Sequence, residues 1–115
     1  MYIALFTDYG FVKITSCASN GVCHLMSRSG HYKIKYSNAK EKCNLNGLAI
    51  ATKTQLMAAF NAGYAVCACG WLSGGISFYP TQIARPGCGV KGLNNCGNDP
   101  NTARDVYCYD AARGR

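Results

Sequence analysis

Cys67-Ala68-Cys69-Gly70-Trp71 sets two cysteines one residue apart, ahead of a glycine and the chain's single tryptophan. Cys17, Cys23 and Cys43 stand upstream and Cys88, Cys96 and Cys108 downstream, eight in 115 residues. An even set spread along most of a short chain reads as a disulfide framework assembled in an oxidising compartment. Structural zinc sites gather cysteines as paired Cys-x2-4-Cys or Cys/His knuckles. Here the closest pairs are Cys67-x-Cys69 and Cys17-x5-Cys23, so the spacing points to an extracellular disulfide module.

Working outward, the length suits one domain with a modest core, and 49% apolar with 15% charged residues is a globular balance. Disulfides supplement such a core, each typically by roughly 2–4 kcal/mol. Twelve Lys and Arg against five Asp and Glu give a net charge of +7, which favours acidic partners such as a glycosaminoglycan, a nucleic acid or an anionic membrane surface. No apolar run approaches the about 18 residues of a membrane span. Met1–Phe6 lacks the basic start, apolar length and cleavage site of a signal peptide.

Phe11–Thr15 and Tyr32–Tyr36 alternate apolar and polar residues and predict strands, with a turn over 27–30. Ser37 is placed to cap a helix that reaches about Leu45, with Ala39 and Cys43 on its inner face and Glu41 on the outer one. Thr54 is placed to cap a second helix bearing Leu56, Ala59 and Phe60 as its apolar stripe and ending at Gly63. After Tyr64, glycines and prolines punctuate short strands, the last being Asp105–Tyr109. Two short helices followed by a glycine-rich β region imply an α+β fold.

Few groups suit catalysis. The carboxylates are Asp8, Glu41, Asp99, Asp105 and Asp110, which do not suggest a paired-carboxylate hydrolase. His24 and His31 are candidates to serve a cysteine nucleophile, but an even cysteine set favours bonded thiols. No enzyme is therefore expected. No phosphate-binding loop opens a helix, and the dispersed lysines form no nucleic-acid signature, so no nucleic-acid partner is expected. Eight tyrosines mixed with Arg and Lys suit an acidic polysaccharide. Sugar CH faces pack on aromatic rings, and uronate carboxylates accept charge-assisted hydrogen bonds.

Ordered elements across most of the chain carry a family resemblance: Gly21-Val22-x-His24, Ser29-Gly30-x-Tyr32, Ala39 with Cys43, Ala51-Thr52-x-x-Gln55-Leu56, Gly63-Tyr64-x-x-Cys67-x-x-Gly70-Trp71-Leu72, Tyr79-Pro80, Cys88-Gly89 and Asp105-Val106-Tyr107-Cys108-Tyr109. Together these resemble the Link module of hyaluronan-binding proteins. The resemblance divides the chain into an N-terminal extension (1–20), the Link module (21–110) and a flexible tail (111–115). It implies a C-type lectin-like fold of two helices and two small antiparallel sheets, with disulfides Cys43–Cys108 and Cys67–Cys88. It also implies non-catalytic, calcium-independent binding of hyaluronan or a related glycosaminoglycan outside the cell, without cofactor or metal, and extracellular matrix proteins as further partners. Asn98-Asp99-Pro100-Asn101 is too slight for a calcium loop.

Residue by residue, Tyr32 and Tyr79 stand where family tyrosines stack on sugar rings. Arg28 matches a basic position, His31 stands where Lys or Arg is usual, and Lys91 is a further candidate for ligand carboxylates. If His31 meets such a carboxylate, binding strengthens on acidification as the imidazole protonates.

Other groove positions depart from the pattern. Ala68 replaces an arginine of the receptor-type modules, and Cys69 and Cys96 take positions that face each other across the groove. The expected result is an extra bond, Cys69–Cys96, which either rigidifies the site or blocks it. Cys17–Cys23 is then left as a short-loop pair, the alternative being a partner for Cys17 beyond Arg115. A Link-fold structural or protein-interaction module that has lost the sugar site is the competing reading. A basic membrane-active or defence protein would explain the charge and cysteines but not the ordered matches.

Overall fold

The computed structural model describes residues 11–113. Met1–Phe6, read above for a signal peptide, and residues 114–115 of the tail lie outside the described residues. Its first hairpin joins β1 (Val12–Cys17) to β2 (Val22–Ser27), whose apolar residues Val22, Leu25 and Met26 are buried. The pairing register slips between Ile14 and Ser16, leaving Thr15 as the extra residue of a bulge. Such a bulge re-aims a side chain, and Thr15 uses it to reach His24, as described below.

The run Tyr32–Tyr36, expected as a strand, is not one. Tyr32 lies at φ 61°, in the left-handed region that breaks an extended run. Only Ile34 pairs, in an isolated bridge to Arg104, and the Ile34 carbonyl accepts the indole N–H of buried Trp71 at 2.9 Å. Helix α1 (Tyr36–Leu45) then begins earlier than expected. Its N-cap is Lys35, without a side-chain cap, so Ser37 falls inside the first turn. Ala39 and Cys43 form its buried face, and Glu41 is exposed.

After β3 (Ala49–Ile50), helix α2 (Lys53–Asn61) is capped by Thr52 rather than Thr54. Thr52 Oγ1 accepts the Gln55 N–H at 3.1 Å while Gln55 Oε1 accepts the Thr52 N–H at 3.0 Å. This reciprocal pair satisfies two amides that Thr54 has no such partner to satisfy. Leu56 and Ala59 are buried and Phe60 is half-buried, with Gly63 following the helix at φ 100°.

The remaining strands are β4 (Gly70–Leu72), β5 (Ile76–Thr81), β6 (Gly92–Gly97) and β7 (Asp105–Tyr109). They give the α+β fold expected from the sequence, with one difference in the sheet. The two antiparallel groups are fused by a parallel pairing of Gly70 and Trp71 in β4 with Asp105 and Val106 in β7. The path is β1-β2-β7-β4-β5-β6, with β3 also on β7. The fusion is possible because Gly70 has no side chain: a Cβ there would lie 2.5 Å from two carbons of the buried Tyr107 ring.

The core has two parts. Trp71 centres one, with Leu25, Ile34, Val106 and the α1 face; Leu56, Leu72, Phe78 and Tyr107 fill the other, under α2. Four disulfides staple it: Cys17–Cys23 within the first hairpin, Cys43–Cys108 from α1 to β7, Cys67–Cys88 from the segment before β4 to the loop after β5, and Cys69–Cys96 from the residue before β4 to β6.

Candidate functional site

The site is organised by Asp105, a fully buried carboxylate at the start of β7. Its Oδ2 lies 2.9 Å from His24 Nε2 and 2.6 Å from His31 Nδ1, and its Oδ1 accepts the Tyr32 N–H at 2.8 Å. Three groups from β2 and the following turn thus converge on one residue of β7. Burial raises the Asp105 carboxyl, but the hydrogen bonds from His24, the Tyr32 amide and His31 outweigh it and hold the group below its ordinary value. His24 is itself buried, with Thr15 Oγ1 at 2.5 Å from its Nδ1 and Tyr107 against its ring at 5.4 Å. Burial also pushes the Tyr107 phenol well above its ordinary range, and the hydroxyl donates to the Ala68 carbonyl at 2.8 Å.

Held by this node, Tyr32 keeps a backbone conformation that costs a non-glycine residue about 1–3 kcal/mol. Its hydroxyl accepts the Cys69 N–H at 3.2 Å, so the ring is fixed at both ends while its surface stays 41% exposed. The His31 ring lies 5.5 Å from it, with its side chain 53% exposed. Cys69 also accepts the Asp105 N–H through its carbonyl at 3.0 Å. The Cys69–Cys96 bond leads from there to β6, and the Cys96 carbonyl accepts from Arg104 Nη2 at 2.6 Å.

Tyr79, half-buried on β5, lies on the strand between those two cysteines' elements and pairs with Asn94 of β6. Gly89 (φ 72°) makes room for the Asn94 amide and the Tyr79 hydroxyl, since a Cβ there would meet the Asn94 side chain first and the Tyr79 hydroxyl at 2.7 Å. His31 and Tyr32 are therefore brought together, and Tyr79 lies further along the sheet. Arg28 and Lys91 are exposed on turns, Arg28 just after β2 and Lys91 just before β6.

The structure adds three residues not singled out above as site residues. Asp105 was visible only as part of a motif; its node joins positions 74 and 81 residues apart. Thr15 depends on a bulge. Arg104 directly precedes the Asp105-Val106-Tyr107-Cys108 motif, and that adjacency is the signal that could have found it. No cysteine is free, so neither histidine has a thiol to activate.

Residues 21–109 match the sequence model of the extracellular link domain. The chain is 42% identical over 93 residues to Stabilin-2 of Rattus norvegicus, covering 77% of this chain and 6% of that protein. It is 40% identical over 94 residues to tumor necrosis factor-inducible gene 6 protein of Homo sapiens, covering 78% and 34%. Versican core protein of Rattus norvegicus is 36% identical over 101 residues, covering 82% and 4%. The chain thus spans about a third or less of these relatives.

Proposed function

This chain belongs to the extracellular link domain family, and from that premise we propose that it is an extracellular, non-catalytic module that binds hyaluronan or a related glycosaminoglycan. The observation that carries the reading is Tyr32: a ring pinned by Asp105 at its amide and by Cys69 at its hydroxyl, yet open to solvent beside His31. An aromatic face held rigid before ligand arrives loses little entropy on stacking against a sugar. Tyr79 provides the second platform. His31, Arg28 and Lys91 bind ligand carboxylates, joined by Arg104, whose guanidinium is anchored beside the Cys69–Cys96 bridge. The charge of +7 supports an acidic glycan.

Cys69–Cys96 supports a second reading: the bridge runs from the residue that holds the Tyr32 hydroxyl to β6, beside the proposed sugar platform, where it would exclude a glycan from the space it fills. In that case the module presents the Link fold to a protein partner. Binding to hyaluronan, chondroitin sulfate and heparin surfaces separates the two. Glycan binding that weakens in Tyr32→Phe, which keeps the ring but frees it from the Cys69 amide, and falls in Tyr79→Ala supports the first reading. A correctly folded chain that binds none of the three surfaces supports the second.

A further inference from the structure

We propose that His24, His31 and Asp105 form a binding site for a divalent transition-metal ion, and that zinc is the ion it fits. The site shares His31 with the proposed glycan surface, but metal uptake is read without any glycan present. Its donors are His24 Nε2, His31 Nδ1 and a carboxylate oxygen of Asp105, all within 4.8 Å of one another. Two imidazoles and one carboxylate make a borderline donor set that suits zinc, whereas calcium needs six to eight oxygens. Zinc bonds of about 2.0–2.1 Å at tetrahedral angles set neighbouring donors roughly 3.3 Å apart. The separations from Asp105 Oδ2 are 2.9 Å to His24 and 2.6 Å to His31, but the three donor atoms spread over as much as 4.8 Å, so the two imidazoles must close toward each other for one ion to bind all three. His31, the half-exposed member, is the one able to give.

The surrounding bonds point independently to a cation. Metal-ligating side chains have their remaining polar atoms held by a second ring of partners. Asp105 Oδ1 is held by the Tyr32 N–H, and His24 Nδ1 by Thr15 Oγ1. The Thr15 hydroxyl also donates to the His24 carbonyl at 3.2 Å. With its hydrogen on that carbonyl, the Thr15 oxygen is left to accept from Nδ1–H. That tautomer turns an unprotonated Nε2 toward Asp105 Oδ2, two acceptors 2.9 Å apart that need a positive centre between them. A proton or a metal ion fills that need. Zinc displaces the protons held between the imidazoles and the carboxylate, so its affinity falls on acidification. The exposed side of His31 leaves the fourth coordination position to water, the arrangement of three protein donors and one solvent ligand.

The sequence shows no such motif because 81 residues separate His24 from Asp105. The cysteine spacing that argues against a structural zinc knuckle has no bearing on it. With all eight cysteines bonded, thiolates do not compete for the ion.

The test uses the oxidised chain, stripped with a chelator and kept free of reductant. Zinc is titrated by calorimetry, and cobalt(II) is added separately to read its visible absorption. The expected result is one zinc per chain and a cobalt band of low-coordinate N/O ligation. Thr15→Val, which removes only the outer partner of His24, weakens zinc binding about 10–100-fold. His31→Lys places a non-ligating cation at the half-exposed position and leaves all four disulfides in place. It abolishes the cobalt band and stoichiometric uptake while its metal-free melting temperature stays near that of the parent. Absence of uptake by the parent overturns the proposal, as does zinc uptake that is undiminished in folded His31→Lys.

Discussion

At the scale of single residues, Asp105 carries the greatest consequence. Its folded-state carboxyl lies below the ordinary value, so the unfolded chain takes up the proton first as pH falls. The stabilisation is complete above the unfolded carboxyl value of about 3.9 and is lost as pH drops through the lower folded value. Denaturant titrations at pH 6, 4 and 2 are expected to show a loss below pH 4 that is smaller in Asp105→Asn, which has no charge to protonate. Asp105→Ala leaves the Tyr32 amide and both imidazoles without their partner. It is expected to cost about 3–5 kcal/mol, the range for breaking a buried pair, read as a shift in the denaturation midpoint. Gly70→Ala tests a different constraint, the 2.5 Å approach to the Tyr107 ring. Overpacking there is expected to lower stability by about 1–3 kcal/mol by the same measurement. Ser29→Ala, on an exposed turn, is the control expected to leave the midpoint nearly unchanged.

At the scale of elements, caps and bulges decide where the chain places its functional groups. Thr52→Ala is expected to cost about 1 kcal/mol by removing the capping box of α2, whereas Thr54→Ala, inside the exposed first turn, has no cap to remove. Thermal melts of the two variants check the assignment. Legibility in the sequence follows the same division. Periodicity revealed both helices and the final strand because Ala39/Cys43, Leu56/Ala59 and the Asp105–Tyr109 run follow local repeats. It misread Tyr32–Tyr36, whose alternation has the form of a strand, because the left-handed turn at Tyr32 is set by a hydrogen bond to Asp105, 73 residues away. The Link resemblance supplied Tyr32, Tyr79 and His31 as candidates. The node that joins two of them depends on the β2–β7 pairing, and Thr15 on a single extra residue in β1. Neither is encoded as a local pattern.

At the scale of the molecule, the question is what Cys69–Cys96 does to the proposed glycan surface, which β4, β5 and β6 support. The bond closes a sequence separation of 27 residues and connects the residue that fixes the Tyr32 hydroxyl to the strand that flanks Tyr79. On a chain-entropy basis, its removal from the pair Cys69→Ala/Cys96→Ala costs about 3–4 kcal/mol. Cys43–Cys108, which spans 65 residues, remains to hold α1 on β7. The variant is therefore expected to fold with a lower melting temperature. A bridge that preorganises the groove predicts weaker hyaluronan binding in this variant, because Tyr32 and Tyr79 must then be ordered at the expense of binding energy. A bridge that blocks the groove predicts the reverse, with binding appearing or strengthening once it is removed. The glycan-binding reading requires the first outcome, together with affinity that falls as salt screens the contacts of the basic residues. Surface-binding measurements on parent and variant at two ionic strengths, with folding of each confirmed by melting, decide between them. Stronger binding after bond removal makes Cys69–Cys96 a lock on the groove, and the module's native role then lies with a protein partner.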